Sequence, residues 1–375
     1  MNDDKKNKIL NVSIYLIKVI RQVLNNQEAD PIGENEGFSY RDVYLLSKFH
    51  QVENIVYFGL EKYLKDQELI KVWKKKSLQN ITMSLVQEEE KNKLSDLFER
   101  NQIDFMPVKG YYIRSLYPRS DFRFMSDLDI LIDEKKAKFA KKLMIKEGYQ
   151  VDEFNYYNHD EYTKKPFMHV ELHRSLVTRD HENYFYYKNI LKETNLKEKT
   201  NYFHQLSNEE LYIYHLVHLK KHYESGGAGI RNFIDIYLYL KSEILDLDYI
   251  NQKIEKLNLK EFKEQMERVS NQWFGEEEST EDLEQIKQYI IQSGVYGTTA
   301  HLVDNNIKKE KSSAKMILSR LFPSPKRMKA LYPILNKCIL FLPFCYIARI
   351  FRGIRKRKKV TSELKVINNK NNNKE

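Results

Sequence analysis

The chain has 375 residues, 41% of them hydrophobic and 13% aromatic, which is material for a packed core of two or three structural units and excludes a disordered protein. Two cysteines, Cys338 and Cys345, exclude a disulfide framework and fit a reducing cytosol. The formal charge is +10, yet seven Arg or Lys fall between Arg349 and Lys359, so much of the positive balance belongs to the C-terminus.

The first stretch, "MNDDKKNKIL", is charged from residue 3 onward, so an export signal is not expected. Residues 5 to 100 read as helices: "ILNVSIYLIKVIRQVL", "SYRDVYLLSKFHQVENIVYFGLEKYL" and a long charged segment from Glu68 to Arg100, with Ser39 and Asp42 marking one helix start. The pattern changes at Ile103. "IDFMPVKG" is a short apolar run, "YYIRSLY" a brief helical segment, "DLDILID" a compact strand and "EKKAKFAKKLMIKEGY" an amphipathic helix closing near Gly148. "YQVDEF" and "MHVELHRSL" read as further strands. That order implies an α+β fold, a small mixed sheet flanked by helical regions.

Helical periodicity returns from Asn208 to about Lys356, interrupted by "ESGGAGIR" and "LFPSPKR". The loop "SGGAG" reads as a lid over phosphate or, preferably, a flexible connection. The apolar run from Ala330 to Ala348 contains Lys337, Pro333 and Pro343, too many breaks for a membrane span, and fits a core helix or an interfacial one beside the basic tail. The basic run could meet anionic lipid, nucleic acid or phosphorylated substrates, or form a solvated terminal helix. "NNKNNNKE" is low-complexity and expected to be disordered. The expected division is a helical region over 1–102, a core over 103–180, a second helical region over 181–360 and a disordered tail over 361–375.

The chemistry-bearing motif is "FMSDLDILID", Phe124 to Asp133. Strand side chains alternate between faces, so Asp127, Asp129 and Leu131 share one side while Leu128, Ile130 and Ile132 point the other way into the core. Two carboxylates side by side repel unless cations or protons neutralise them, and hard oxygen ligands at this spacing suit Mg²⁺. Acids at a strand end that meet solvent or cap a helix are the plainer reading. Glu171 lies mid-strand in "HVELHRSL", with His169 and His173 on its face; if the two strands are neighbours, three carboxylates converge as two-metal phosphoryl chemistry requires.

"VKGYYIRSLYP", "RFMSDLDILID" and "HVELHRSL" together resemble the uncharacterised nucleotidyltransferase family within the DNA polymerase beta-like superfamily, over roughly residues 103 to 176. The resemblance implies a polymerase beta-like core and transfer of a nucleoside monophosphate from an NTP, ATP among them, to an acceptor hydroxyl, with pyrophosphate released. It implies that Asp127 and Asp129 ligate two Mg²⁺ ions, that Glu171 completes the metal site and accepts the acceptor's proton, and that Lys109 and Gly110 open a helix whose amides face the triphosphate. Arg123 and Ser126 would approach phosphate oxygens. The wider superfamily places Gly-Ser or Gly-Gly at this turn; here Tyr111 follows Gly110.

His173 belongs to the matched motif and is expected to orient the acids, whereas His169 reads as structural. His215, His218 and His222 share one helical face. Zinc binding is one reading; the preferred one has them line the cleft between sheet and helices, with His218, Arg231 and Asp235 near the nucleotide or acceptor. The tail-confined basic patch ranks a small molecule, a sugar-pathway intermediate or a protein above RNA as acceptor. The expected location is cytoplasmic, with peripheral contact at the inner membrane face through residues 330–359. The alternative function is a non-catalytic or membrane-surface partner in glycan or surface-polymer assembly, using the fold as a scaffold.

Overall fold

Side-chain caps place the first helices. Ser39 Oγ accepts from the Asp42 amide while the Asp42 carboxylate accepts from the Ser39 amide at 2.9 Å, a reciprocal pair that satisfies two backbone donors. In the computed structural model, which describes residues 3–355 except 296, 311 and 312, the helices are α1 (Asp3–Leu24), α2 (Tyr40–Phe49), α3 (Glu53–Leu60) and α4 (Gln67–Arg100). The expectations for the tail beyond 355 lie outside the described residues.

The sheet follows, as β1 (Phe105–Pro107), a short α5 (Gly110–Ile113), β2 (Leu128–Ile132), α6 (Ala137–Lys146), β3 (Gln150–Tyr156), β4 (His159–Lys164) and β5 (Met168–His173). The spatial order is β1-β2-β5-β4-β3, with β2 and β5 parallel and the other neighbours antiparallel. The fold is mixed α/β with a five-stranded mixed sheet, as the element order predicted. Strand β4 is an addition to that reading. It joins the two predicted strands on either side of it, and its register places His159 opposite His173 and Glu161 opposite Glu171.

One sheet face buries Leu128, Ile130, Ile132, Val170 and Leu172 against Leu94 and Phe98 of α4 and Ala140 and Met144 of α6. The other face is also covered, because Leu131 and Val108 join a second core with the helices. Both faces being buried, the alternation of β2 separates two cores rather than core from solvent.

The remaining elements are α7 (Tyr184–Tyr187), α8 (Ile190–Glu193), a two-stranded ribbon of β6 (Asn195–Leu196) and β7 (His204–Gln205), α9 (Asn208–Ser225), α10 (Ile230–Lys241), α11 (Leu247–Lys256), α12 (Lys260–Phe274) and α13 (Glu284–Ser293). Their apolar faces share one core with α1 and α3, through Leu16, Ile55, Phe233 and Phe274 among others. The turn Gly226–Gly229 between α9 and α10 is buried, with Ala228 fully enclosed, so the expected lid or flexible connection is instead a packed junction. Gly227 has φ +117 and its missing Cβ makes room for Ser293, a combination that explains glycine there.

The last described elements are α14 (Thr299–Glu310), α15 (Ser313–Leu321), α16 (Pro325–Leu331) and α17 (Leu342–Arg355), with two 3₁₀ turns at Pro333–Asn336 and Ile339–Phe341. The single helix expected over Ala330–Ala348 is therefore replaced by broken segments. Pro333 lacks the amide that would continue α16, and the chain restarts one residue before Pro343, which occupies the first turn of α17 where its missing donor costs nothing. Cys338 and Cys345 are free thiols.

Candidate active site

Adjacent parallel pairing of β2 and β5 sets Asp129 directly opposite Glu171. Glu161 on β4 is in turn opposite Glu171, so three carboxylates lie in one row across the sheet, with His173 and His159 as the next row. Asp127 precedes β2 by one residue. Asp127, His169 and Glu171 each bring a ligand atom within 4.8 Å of the other two, and His159, Glu171 and His173 form a second such group.

The acids are neutralised by specific partners. Lys109 Nζ donates to Asp129 Oδ1 at 2.5 Å, and His173 Nε2 lies 2.7 Å from the same oxygen and 3.2 Å from Glu171 Oε2. Burial would raise the Asp129 carboxyl, but Lys109 and His173 outweigh it and hold the group well below the usual range. Glu171 is likewise held low against burial, chiefly by His173. Burial would lower His173, but its hydrogen bonds to both acids raise it. Asp127 behaves oppositely: burial and then the Asp129 charge push its carboxyl up, so a cation placed there would relieve it. Asp127 and Glu171 bring carboxylate oxygens within 4.8 Å of one another, with Asp129 opposite Glu171, and such hard oxygen ligands suit a divalent cation.

These groups face a cavity of about 250 Å³. Its floor is the acidic sheet face, its roof α9 and α10, contributing Tyr214, His215, His218, Lys221, His222 and Arg231, and one side the β3–β4 turn with Tyr157 and Asn158. His218 and His222 share a contact between their Nε2 atoms at 3.2 Å, and His215 Nε2 donates to Asn232 O. Burial keeps all three neutral, pulling His222 down to about 4. They line the cleft as expected, but with these partners they do not form a three-histidine cluster of ligand atoms.

Lys109 has φ +55 and is the residue before α5, a helix of only four residues continued as a 3₁₀ turn. A Cβ on Gly110 would stand 2.7 Å from Met125 Sδ and 2.9 Å from Arg123 Nη1, so glycine is required by the close approach of the 123–127 segment. Ser126 Oγ donates to Asp127 Oδ1 at 3.0 Å. Arg123 is buried, with Nε and Nη2 donating to the two Asp235 oxygens and Nη1 to Phe124 O. Its guanidinium therefore secures the acid-bearing segment to α10 rather than standing open toward a phosphate. Asp235 is fully buried behind that pair and also accepts from Tyr117 Oη at 2.7 Å. Arg231 borders the cavity while donating to Gln51 Oε1 and Phe124 O.

Glu161 and the cavity-lining groups Tyr157, His159, Tyr214 and Lys221 escaped the sequence reading. The first three of these lie on or beside β4, whose alternation of His159, Glu161 and Thr163 against Asp160 and Tyr162 was the available signal.

A family model described as an uncharacterised nucleotidyltransferase matches residues 37–275, well over half of the 375-residue chain. The chain belongs to that family. The resemblance drawn from the Lys-Gly turn, the Asp-x-Asp strand and the Val-Glu-Leu-His strand is borne out, and the match extends through α10 and α12, which roof and buttress the cavity. Membership in a nucleotidyltransferase family supports transferase chemistry on an NTP in general terms, and the acidic and histidine groups described above are candidates for the divalent cation such enzymes use. No curated protein and no solved structure matches the chain.

Proposed function

We propose that this nucleotidyltransferase moves a nucleoside monophosphate from an NTP to a hydroxyl of an acceptor, with Mg²⁺ held by Asp127, Asp129 and Glu171. The observation that carries the reading is the register of Asp129 against Glu171, with Asp127 lining the same cavity. Divalent cations bound by such acids neutralise triphosphate charge and acidify an acceptor hydroxyl.

The chain's own groups have definable tasks. Glu171, kept ionised by His173, accepts the hydroxyl proton as the acceptor oxygen bonds to the α-phosphorus and the bond to the β-phosphate oxygen breaks. Lys109 and Lys221 both face the cavity and supply positive charge for the triphosphate. Neutral His218 and His222 are suited to hydrogen bonding with a base or an acceptor. A cavity of about 250 Å³ beneath helices admits a small molecule, a sugar intermediate or a protein side chain more readily than a folded RNA. Such chemistry draws on the cytoplasmic NTP pool.

The test is mass spectrometry of cell extract incubated with labelled NTPs and the protein, beside an Asp127→Asn, Asp129→Asn control. A labelled product and pyrophosphate that need Mg²⁺ and vanish in the control are expected. Absence of both Mg²⁺-dependent nucleotide binding and pyrophosphate release across varied acceptors would overturn the reading.

A further inference from the structure

The C-terminal helices leave an apolar face uncovered. Leu321, Phe322, Leu340, Phe344, Ile347 and Phe351 are each between 50% and 79% exposed. Phe344, Ile347 and Phe351 stand at i, i+3 and i+7 along α17 and so form one stripe. The opposite side of α17 is anchored: Leu342, Cys345 and Tyr346 pack with Met328, Leu331 and Leu335. A helix that is apolar on both sides, one of them covered by its own chain, has a second surface to satisfy.

The stretch of sequence that carries this face has charge of one sign. Between Lys311 and Lys359 there are fourteen Lys or Arg and no Asp or Glu, and since the whole chain carries +10 the remainder sums to −4. Lys326, Lys329 and Lys337 in this region are exposed. A cation-rich segment that bears an apolar stripe complements an anionic headgroup layer over its acyl boundary. A second copy of the chain would bring like charges together, and a nucleic acid would leave Leu340 and Ile347 without a partner. No helix among the described residues is long and apolar enough to cross a membrane, so the contact lies within the interface.

We propose that this face docks on an anionic phospholipid bilayer, with α17 lying in the headgroup layer. The docked segment is joined to the cavity wall. Arg327 donates to Asp180 Oδ2 at 2.6 Å and to Tyr157 Oη at 2.9 Å, and the Tyr157 amide donates to Leu331 O. Tyr157 itself lines the cavity, so it joins the cavity wall to α16. The docking stands on exposure and charge alone and does not depend on nucleotidyl transfer.

The experiment is flotation of the full chain with phosphatidylcholine vesicles, neutral or containing about 30% phosphatidylglycerol. Recovery with anionic vesicles at least about tenfold above neutral ones is expected, and a comparable loss in Phe344→Ser, Ile347→Ser, Phe351→Ser with the thermal transition unchanged. A second variant, Lys326→Glu, Lys329→Glu, Lys337→Glu, should lose binding to anionic vesicles and covers the case in which the first folds poorly. No recovery with either vesicle, full recovery of both variants, or binding of an RNA oligonucleotide with none to vesicles overturns the proposal.

Discussion

Arg123 and Asp235, 112 positions apart in the chain, meet through two parallel hydrogen bonds, 3.0 and 2.8 Å long. Both side chains are buried, and the pairing is what fixes Phe124, Met125, Ser126 and Asp127 against α10. Removing one partner leaves an uncompensated buried charge, so Asp235→Ala is expected to cost about 3 to 5 kcal/mol. Chemical denaturation measures it; a loss below about 1 kcal/mol would mean the pair is solvated in solution.

The two aspartates of the motif should part company under mutation. Asp127 is destabilised by burial and by Asp129, whereas Asp129 is the shared partner of Lys109 and His173. Asp127→Asn is expected to leave the melting temperature unchanged or higher, and Asp129→Asn to lower it, since two buried cationic groups lose their acceptor. Both should reduce Mg²⁺-dependent pyrophosphate release by at least about a hundredfold. Equal melting shifts in the two variants would contradict the assigned partners.

Gly110 is expected to reject even one methyl group. The Cβ of Gly110→Ala meets Met125 and an Arg123 side chain that Asp235 prevents from moving, which implies a cost of about 1 to 3 kcal/mol. Weakened nucleotide binding should accompany the lower thermal transition, because Lys109 and Met125 border the same cavity. An unchanged transition would show that the 123–127 segment yields.

A pH response follows from His50, which is fully buried between two backbone groups. Its Nε2 donates to Ile291 O at 3.1 Å and its Nδ1 accepts from the Ile230 amide at 3.3 Å, so only the neutral ring fits. Burial lowers it to about 4. The folded-state value is depressed: its contribution is complete above about pH 6.5, where both states are neutral, and is lost as the unfolded chain takes up a proton between about pH 6.5 and 4. The loss is on the order of 3 kcal/mol, and denaturation of His50→Gln across that window should lack it. Parallel pH profiles for the two proteins would count against the buried neutral ring.

The acids were legible because strand alternation is a local signal. Asp127, Asp129 and Glu171 each sit in a short apolar run whose period declares a face. His173 was legible beside them, but the frame that holds their segment was not. Arg123 read as a phosphate ligand because nothing near it in sequence announces Asp235, and β4 was passed over because "HDEYTK" has one large apolar residue, Tyr162. "SGGAG" has the composition of a loose loop, yet glycine also permits close packing, and only the approach of Ser293 decides between the two. In the C-terminal region the prolines marked the breaks, but which apolar residues stay uncovered depends on α16 and α17 meeting in space.

The segment bearing the aspartates is pinned from outside the sheet. Gln87 donates to Met125 O, Asn54 to Asp121 O, and Arg231 to Phe124 O. An excised fragment limited to 103–180 would thus contain every motif acid while lacking the frame that orients them. Minimal versions of this protein have to reach back to α3 and forward to α10, and protease cuts in α3 should silence a site whose lining that helix does not join.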